Sequence, residues 1–355
     1  MTPLSPGSTI GILGGGQLGR MIALAAANLG YRCHIFCPEI DGPASHVATK
    51  VTNANFDDEA ALTAFAQSVD IVTYEFENVP AATAALLARY VPVLPNARAL
   101  EVAQDRIAEK TFVRDLGGGV PAFRAVSSLE ELNAAILEIG APAILKTRRF
   151  GYDGKGQARL KTPEDAAAAW DAIGGNPAIL EAMVPFDGEV SVIVARGQDG
   201  RMVHYGPVHN VHKDGILDVS RVPAPFSEKL AANAVTAARR LADALDYVGV
   251  LAVELFVVGD DVLFNEMAPR VHNSGHWTTE GAVTSQFENH VRAICGLPLG
   301  ATDPLGRVEM RNLIGADADA WLDLLADPEL HVHLYGKGEA RPGRKMGHTT
   351  RVVRG

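Results

Sequence analysis

Apolar and polar positions divide the chain into three stretches. Residues 9–14 (TIGILG) are a short apolar run, followed by a glycine cluster and the helix-like run MIALAAANLG. Two further apolar runs follow, CHIFC at 33–37 and DIVTYEF at 70–76. Short apolar runs alternating with helical patterns predict βαβ units on a parallel sheet, an α/β arrangement. VPVLPNARAL contains two prolines and marks the exit from this first unit, residues 1–96. Residues 97–116 predict one helix with Glu101, Asp105, Arg106, Glu109 and Lys110 on one side, stopped by Gly117, Gly118 and Gly119. Strands are expected at 142–146, 177–184 and 189–196, and an alanine-rich helix at about 228–246. VGVLAVELFVV and VLFNEM flank Gly259, Asp260 and Asp261, a hairpin signal. This middle region reads as α+β with antiparallel strands, and the stretch from about 300 as a smaller unit.

Composition narrows the class. With 355 residues, 47% hydrophobic and 21% charged, the chain can bury the cores of two or three domains, which excludes a disordered protein. A net charge of −10 argues against a nucleic-acid partner. The cysteines, Cys33, Cys37 and Cys295, make no disulfide framework; Cys33 and Cys37 read as buried strand residues in a reducing compartment. No apolar stretch approaches the ~18–20 residues that span a bilayer, and no charged-then-apolar leader opens the chain. A cytoplasmic protein is expected.

Two glycine loops carry candidate chemistry. Gly14, Gly16 and Gly19 satisfy G-x-G-x-x-G between a strand and a helix, with Glu39 or Asp41 downstream, the dinucleotide fingerprint. The same geometry suits any phosphorylated ligand, because a helix N-terminus offers unpaired N–H groups, and it also suits a tight packed turn. The second loop, GYDGKGQ at 151–157, follows a strand ending in Lys146. Its glycines and Lys155 fit a lid over nucleotide phosphates, and equally an ordinary solvated hairpin.

The hairpin adds a carboxylate pair. A three-residue turn over Gly259, Asp260 and Asp261 would pair Val258 with Val262 and set Glu254 opposite Glu266. Like charges at about 4.5–5.5 Å repel, and a shared Mg²⁺ with nucleotide phosphates would resolve this. Asn265 would face away unless a bulge intervenes. Two solvent-facing glutamates are the plain alternative.

Together with EFENVP at 75–80, QDRIAEK at 104–110, NEMAPRVHNSGHWT at 265–278 and RKMGH at 344–348, these features resemble the ATP-grasp superfamily. Within it the chain is most similar to the 5-(carboxyamino)imidazole ribonucleotide synthases. Phe150 departs from the pattern, where another glycine is expected. The resemblance implies an ATP-grasp fold with a Rossmann-like N-terminal (preATP-grasp) domain at 1–96. An ATP-grasp domain follows at 97–297, with a lid subdomain at about 120–185, and then a small C-terminal domain at 298–355.

It also implies roles. Arg106 and Lys146 would contact ATP phosphates, covered by Gly151, Tyr152, Asp153, Gly154, Lys155, Gly156 and Gln157. Glu181, Ala182, Met183 and Val184 would hold adenine by backbone groups, Glu189 the ribose and His212 the phosphate end. Glu254 and Glu266 would carry Mg²⁺, beside Asn265. The ribonucleotide, 5-aminoimidazole ribonucleotide, would meet Gln17, Leu18 and Glu75 on one side and Arg270, His272 and Asn273 on the other. Lys337, Arg344 and Lys345 would take its 5′-phosphate. From Ala340 onward there are four Arg and one Lys but no acid, which fits an anion site or a solvated basic tail. His272 and His276 read as ligand contacts; His204, His209, His331 and His333 read as surface or packing residues.

The expected reaction joins bicarbonate to the ribonucleotide amine through carboxyphosphate, directly or as released CO₂, in a likeness that also implies a homodimer. Rival readings are a ribonucleotide transformylase or biotin carboxylase type of ATP-grasp ligase, an NAD-dependent dehydrogenase, and a nucleotide-sensing module.

Overall fold

The computed structural model describes residues 2–151 and 156–354. The first unit has four parallel strands, β1 (Thr9–Leu13), β2 (Arg32–Cys37), β3 (Lys50–Asn53) and β4 (Ile71–Tyr74), in the order β3-β2-β1-β4. The helix Gln17–Asn28 leaves β1 through the first glycine loop and buries Met21, Ile22, Ala25 and Ala26. Cys33, Cys37 and Cys295 are free and buried, as their apolar settings require.

A second sheet of four antiparallel strands, in the order β5-β8-β6-β7, contains β5 (Phe123–Val126), β6 (Ala143–Thr147), β7 (Gln157–Leu160) and β8 (Ala178–Ala182). The helices Leu129–Ile139 and Ala166–Ala172 bury Leu132, Ile136 and Ala169 against Leu145 and Leu180.

Eight strands form the third sheet: β9 (Gly188–Arg196), β10 (Met202–Lys213), β11 (Ile216–Val222), β12 (Gly249–Val258), β13 (Asp261–Ala268), β14 (Arg307–Ile314), β15 (Leu330–Leu334) and β16 (Lys345–Val353). Their order is β13-β12-β9-β10-β11-β14-β16-β15. The run VGVLAVELFVV is apolar throughout because both faces of β12 are covered. Leu251, Val253 and Leu255 pack with the helix Glu228–Ala244, whereas Val250 and Ala252 share a core with Phe287 and Val291. That double burial is what a continuous apolar strand requires.

One expectation changes. The helix expected over 97–116 is two helices, Ala97–Ala103 and Arg106–Asp115. Asp105 breaks it, because its carboxylate accepts the N–H groups of Ile107 and Ala108 at 3.0 and 3.4 Å and so starts a new helix. The small C-terminal unit contributes β14, β15 and β16 to the central sheet, because β14 pairs with β11. Among the described residues, no helix is long and apolar enough to cross a membrane.

Candidate active site

The carboxylates Glu254 and Glu266 face each other across β12 and β13, by a different route from the one the spacing predicts. Val257 pairs with Val262 and Val258 with Asp261, so the turn has two residues, Gly259 and Asp260. Continued without a break, that register would set Glu254 against Asn265. A bulge at Asn265 shifts it, and Glu254 meets Glu266. Each carboxylate has a nitrogen neighbour: the Arg106 guanidinium Nη1 lies 2.9 Å from Glu266, and His272 Nε2 lies 3.1 Å from Glu254. Burial alone would raise the Glu266 carboxyl. Arg106, then Lys146 and Lys110, outweigh it and hold the group well below the usual carboxylate range. Asn265 Oδ1 is buried beside this pair without a hydrogen-bond partner.

Next to the pair, β6 and β8 present a chain of charge. Lys146 Nζ donates to Glu181 at 2.8 Å, and Lys110 Nζ lies 3.4 Å from the other Glu181 oxygen. Beside Lys146 and Glu181 a cavity of about 210 Å³ is lined by Ile144, Ala182, Met183, Val184, Phe186 and Phe256. Phe186 and Phe256 stack at 4.8 Å. An apolar slot with a cation at its mouth suits a flat base carrying phosphates. The N–H groups of Ala182 and Met183 already bond to Ala122 and Pro142 carbonyls, at 2.9 and 3.1 Å. Main-chain contacts to a base therefore fall to the carbonyls of this segment or to Val184. Glu189 and His212 are 2.8 Å apart, and Glu189 raises the imidazole pKa against the opposing effect of burial.

The lid residues Tyr152, Asp153, Gly154 and Lys155 lie outside the described residues. At the rim, Gly151 O accepts from Arg106 Nη2 at 3.4 Å, Gly156 O from the Thr147 N–H, and Gln157 begins β7. Phe150, where a glycine was expected, has φ 63°, the left-handed conformation that glycine adopts most readily.

Across the cleft, the first glycine loop is occupied from within. The N–H groups of Gly16 and Gly19 donate to the Glu75 carboxylate at 2.7 and 3.0 Å. A Cβ on Gly14 or Gly16 would come within 2.5 or 2.7 Å of Glu75, so these glycines make room for a carboxylate. It sits where a dinucleotide's pyrophosphate would sit, and this overturns the expectation that these N–H groups hold a ligand phosphate. Burial raises the Glu75 carboxyl, while the two N–H groups and Arg270 oppose that rise. Gln17 opens the following helix at the cleft, whereas the Leu18 side chain is largely buried in the core.

Arg270 forms an ion pair with Glu77, joining the 75–77 segment to the 270–278 loop. Asn273 and Asn312 exchange amide hydrogen bonds at 2.9 and 2.7 Å. His276 is not a ligand contact: it is fully buried, and burial depresses its pKa. His333 is a packing residue, paired with Glu280 at 2.6 Å and stacked on His348. Lys337 Nζ donates to the Lys345 carbonyl at 2.7 Å, and Arg344 Nη1 to Glu339 O at 2.9 Å. The acid-free appearance of the C-terminal segment is partly undone by folding, since Arg351 pairs with Asp327 and Glu329.

Comparison with known proteins decides among the rival readings. A ribonucleotide synthetase preATP-grasp domain matches residues 7–104, an ATP-grasp domain 111–287, and a phosphoribosylaminoimidazole carboxylase C-terminal domain 309–354. The N5-carboxyaminoimidazole ribonucleotide synthase of Brucella melitensis is 51% identical over 354 residues, covering 99% of this chain and 98% of its own. That of Pseudomonas aeruginosa is 48% identical, over 96% of this chain and 93% of its own. The chain belongs to the N5-carboxyaminoimidazole ribonucleotide synthase family. A solved ADP complex of such a synthetase has a TM-score of 0.97 at 41% identity, covering 100% of this chain and 95% of that one. An Aspergillus clavatus synthase solved with ADP and 5-aminoimidazole ribonucleotide has a TM-score of 0.91 at 31% identity, covering 98% and 94%.

These synthases are ATP-grasp ligases of the ATP-dependent carboxylation step in purine synthesis, so the dehydrogenase and sensor readings are set aside. Sequence reasoning missed Glu77, Phe186, Phe256 and Asn312. It took the charges of helix 106–115 as one polar side, yet Glu109 and Lys110 are buried beneath the site. The available signal was NEMAPR: charged helix residues have a reason to be buried when an adjacent strand carries polar groups of its own.

Proposed function

We propose that the site gathered around Glu254 and Glu266 is where this ligase uses ATP to join bicarbonate to the exocyclic amine of 5-aminoimidazole ribonucleotide. The observation that carries this reading is the convergence of the Glu254–Glu266 pair, Lys146 and the apolar slot at Ala182–Val184. Adenine enters the slot, Glu189 takes the ribose, and Lys146, Arg106 and His212 line the phosphates. The ribonucleotide lies between Gln17 and Glu75 on one side and Arg270, His272 and Asn273 on the other. Lys337, Arg344 and Lys345 receive its 5′-phosphate.

Glu254 and Glu266 fit Mg²⁺. They supply oxygen donors from facing strand positions, and the buried, unpartnered Oδ1 of Asn265 lies beside them. Among the described residues no group of three or more His, Cys, Asp or Glu forms a metal cage. That is consistent with an ion held by few side chains plus substrate phosphates and water. Mg²⁺ bound there supplies positive charge to the phosphates.

A bicarbonate oxygen attacks the γ-phosphorus, the bond to the bridging oxygen breaks, and ADP and carboxyphosphate form. Arg106 and Lys146 stabilise the charge on the transferring group. The ribonucleotide amine then bonds to the carboxyl carbon, losing a proton as phosphate departs. A homodimer, which rests on the family likeness and is checked by sedimentation, and a cytoplasmic setting, read from the unpaired cysteines, complete the reading. The function is tested by ADP release. Turnover should require ATP, bicarbonate and 5-aminoimidazole ribonucleotide together, and equal turnover with a formate donor in place of bicarbonate would refute it.

A further inference from the structure

The bulge at Asn265 leaves main-chain groups that the neighbouring strand does not reach. Helix Arg106–Asp115 supplies their partners from two consecutive residues. Glu109 Oε1 accepts the Met267 N–H at 2.7 Å, and Lys110 Nζ donates to the Asn265 carbonyl at 2.8 Å. The residues on either side of Glu266 are thus each held by a buried ionisable side chain. Glu109 is 2% exposed and Lys110 0%. Burying such polar groups is costly unless they are hydrogen-bonded, and burial pushes the Glu109 carboxyl up to about 8. Because β13 is the edge strand of its sheet, its outward main-chain groups meet no further strand, and the bulge makes the Asn265 carbonyl and the Met267 N–H the outward groups on either side of Glu266.

We propose that Glu109 and Lys110 are positioning residues that hold the β13 bulge, and with it the register that sets Glu266 opposite Glu254. Without them Asn265 can rejoin the ladder. The two-residue turn then sets Asn265 against Glu254 and rotates Glu266 to the other face of the sheet. Lys110 has a second tie, to Glu181 at 3.4 Å, so it also fixes the bulge relative to the slot beside β8. The inference rests on the reading of Glu254 and Glu266 as the divalent-cation pair.

Mn²⁺ is the probe, with free Mn²⁺ followed by electron paramagnetic resonance in the presence of ADP. Glu109→Ala is expected to bind Mn²⁺ about tenfold more weakly or worse, the usual scale for losing a group that orients a metal ligand. Its kcat should fall while the ribonucleotide KM stays unchanged. Glu109→Gln keeps an acceptor for the Met267 N–H and should restore most of the affinity. Absence of Mn²⁺ binding by the wild-type protein defeats the metal reading itself. Wild-type binding matched by a folded Glu109→Ala defeats only the positioning inference. If Glu109→Ala does not fold, Glu109→Gln decides. Retained affinity with a protected Met267 amide in hydrogen exchange supports the inference, and an about tenfold loss in that folded variant overturns it.

Discussion

Glu266 is held ionised by its neighbours, Arg106 first and then Lys146 and Lys110, which outweigh the opposing effect of burial. Glu266→Gln should therefore lose about 100-fold or more in kcat while folding normally, since it removes a ligand charge and leaves Arg106 facing a neutral amide. Unchanged turnover and Mg²⁺ dependence in that variant would contradict the role given to Glu266. Lys345 concerns the other substrate. Its carbonyl accepts from Lys337 Nζ, so the two residues already share one local arrangement. Lys345→Ala should raise the ribonucleotide KM by about tenfold, with the ATP KM nearly unchanged, because a charge-assisted bond to phosphate is worth roughly 1.5–3 kcal/mol. An equal rise in both would place the phosphate elsewhere.

At the scale of elements, one buried histidine ties the first sheet to the third. His290, in helix Gln286–Ile294, accepts the Val250 N–H on Nδ1 at 3.1 Å. Its Nε2 lies 2.8 Å from Thr73 Oγ1 in β4, and therefore carries the proton that Thr73 accepts. Burial lowers its pKa from 6.5 to about 4. The folded state thus binds fewer protons than the unfolded chain between pH 4 and 6.5. The stability from neutral His290 is complete above pH 6.5 and is lost as the pH falls towards 4. The loss between pH 6.5 and 5 should be on the order of 2 kcal/mol. His290→Asn should lower stability at pH 8 and flatten this slope in urea titrations. An identical slope in the variant would assign the acid sensitivity to other buried histidines, such as His34.

At the scale of the molecule, the site lies where the three sheets meet. The hairpin of β12 and β13 ends the eight-stranded sheet, β6 and β8 bring Lys146 and Glu181, and the first glycine loop faces them through Glu75, Glu77 and Arg270. Glu75 occupies the N–H groups of Gly16 and Gly19 in the first glycine loop that a dinucleotide's phosphates would need. Calorimetry should show Mg²⁺-dependent ATP binding and no heat with NAD or NADH. Micromolar NADH affinity that disappears in Gly16→Val would show that Glu75 yields its place to a pyrophosphate.

By itself the sequence determined what local chemistry controls. Apolar runs and their periods gave the strands, and Gly259, Asp260 and Asp261 gave the place of the hairpin, though not its two-residue turn. The motif residues Lys146, Glu181, Glu254 and Glu266 carried the site. Such features depend on neighbours a few residues away, or on residue types whose chemistry leaves few uses. Tertiary structure decided whatever depends on partners far apart in the chain. Glu75 reaches Gly16 across 59 positions, and Arg106 reaches Glu266 across 160. The Asn265 bulge belongs to the same class: residue spacing counts positions along a strand, but only the Glu109 and Lys110 side chains arriving from another element make one extra residue stable there. Helix 106–115 likewise shows a charged side in sequence whether water or a polar site covers it, and packing alone distinguishes the two.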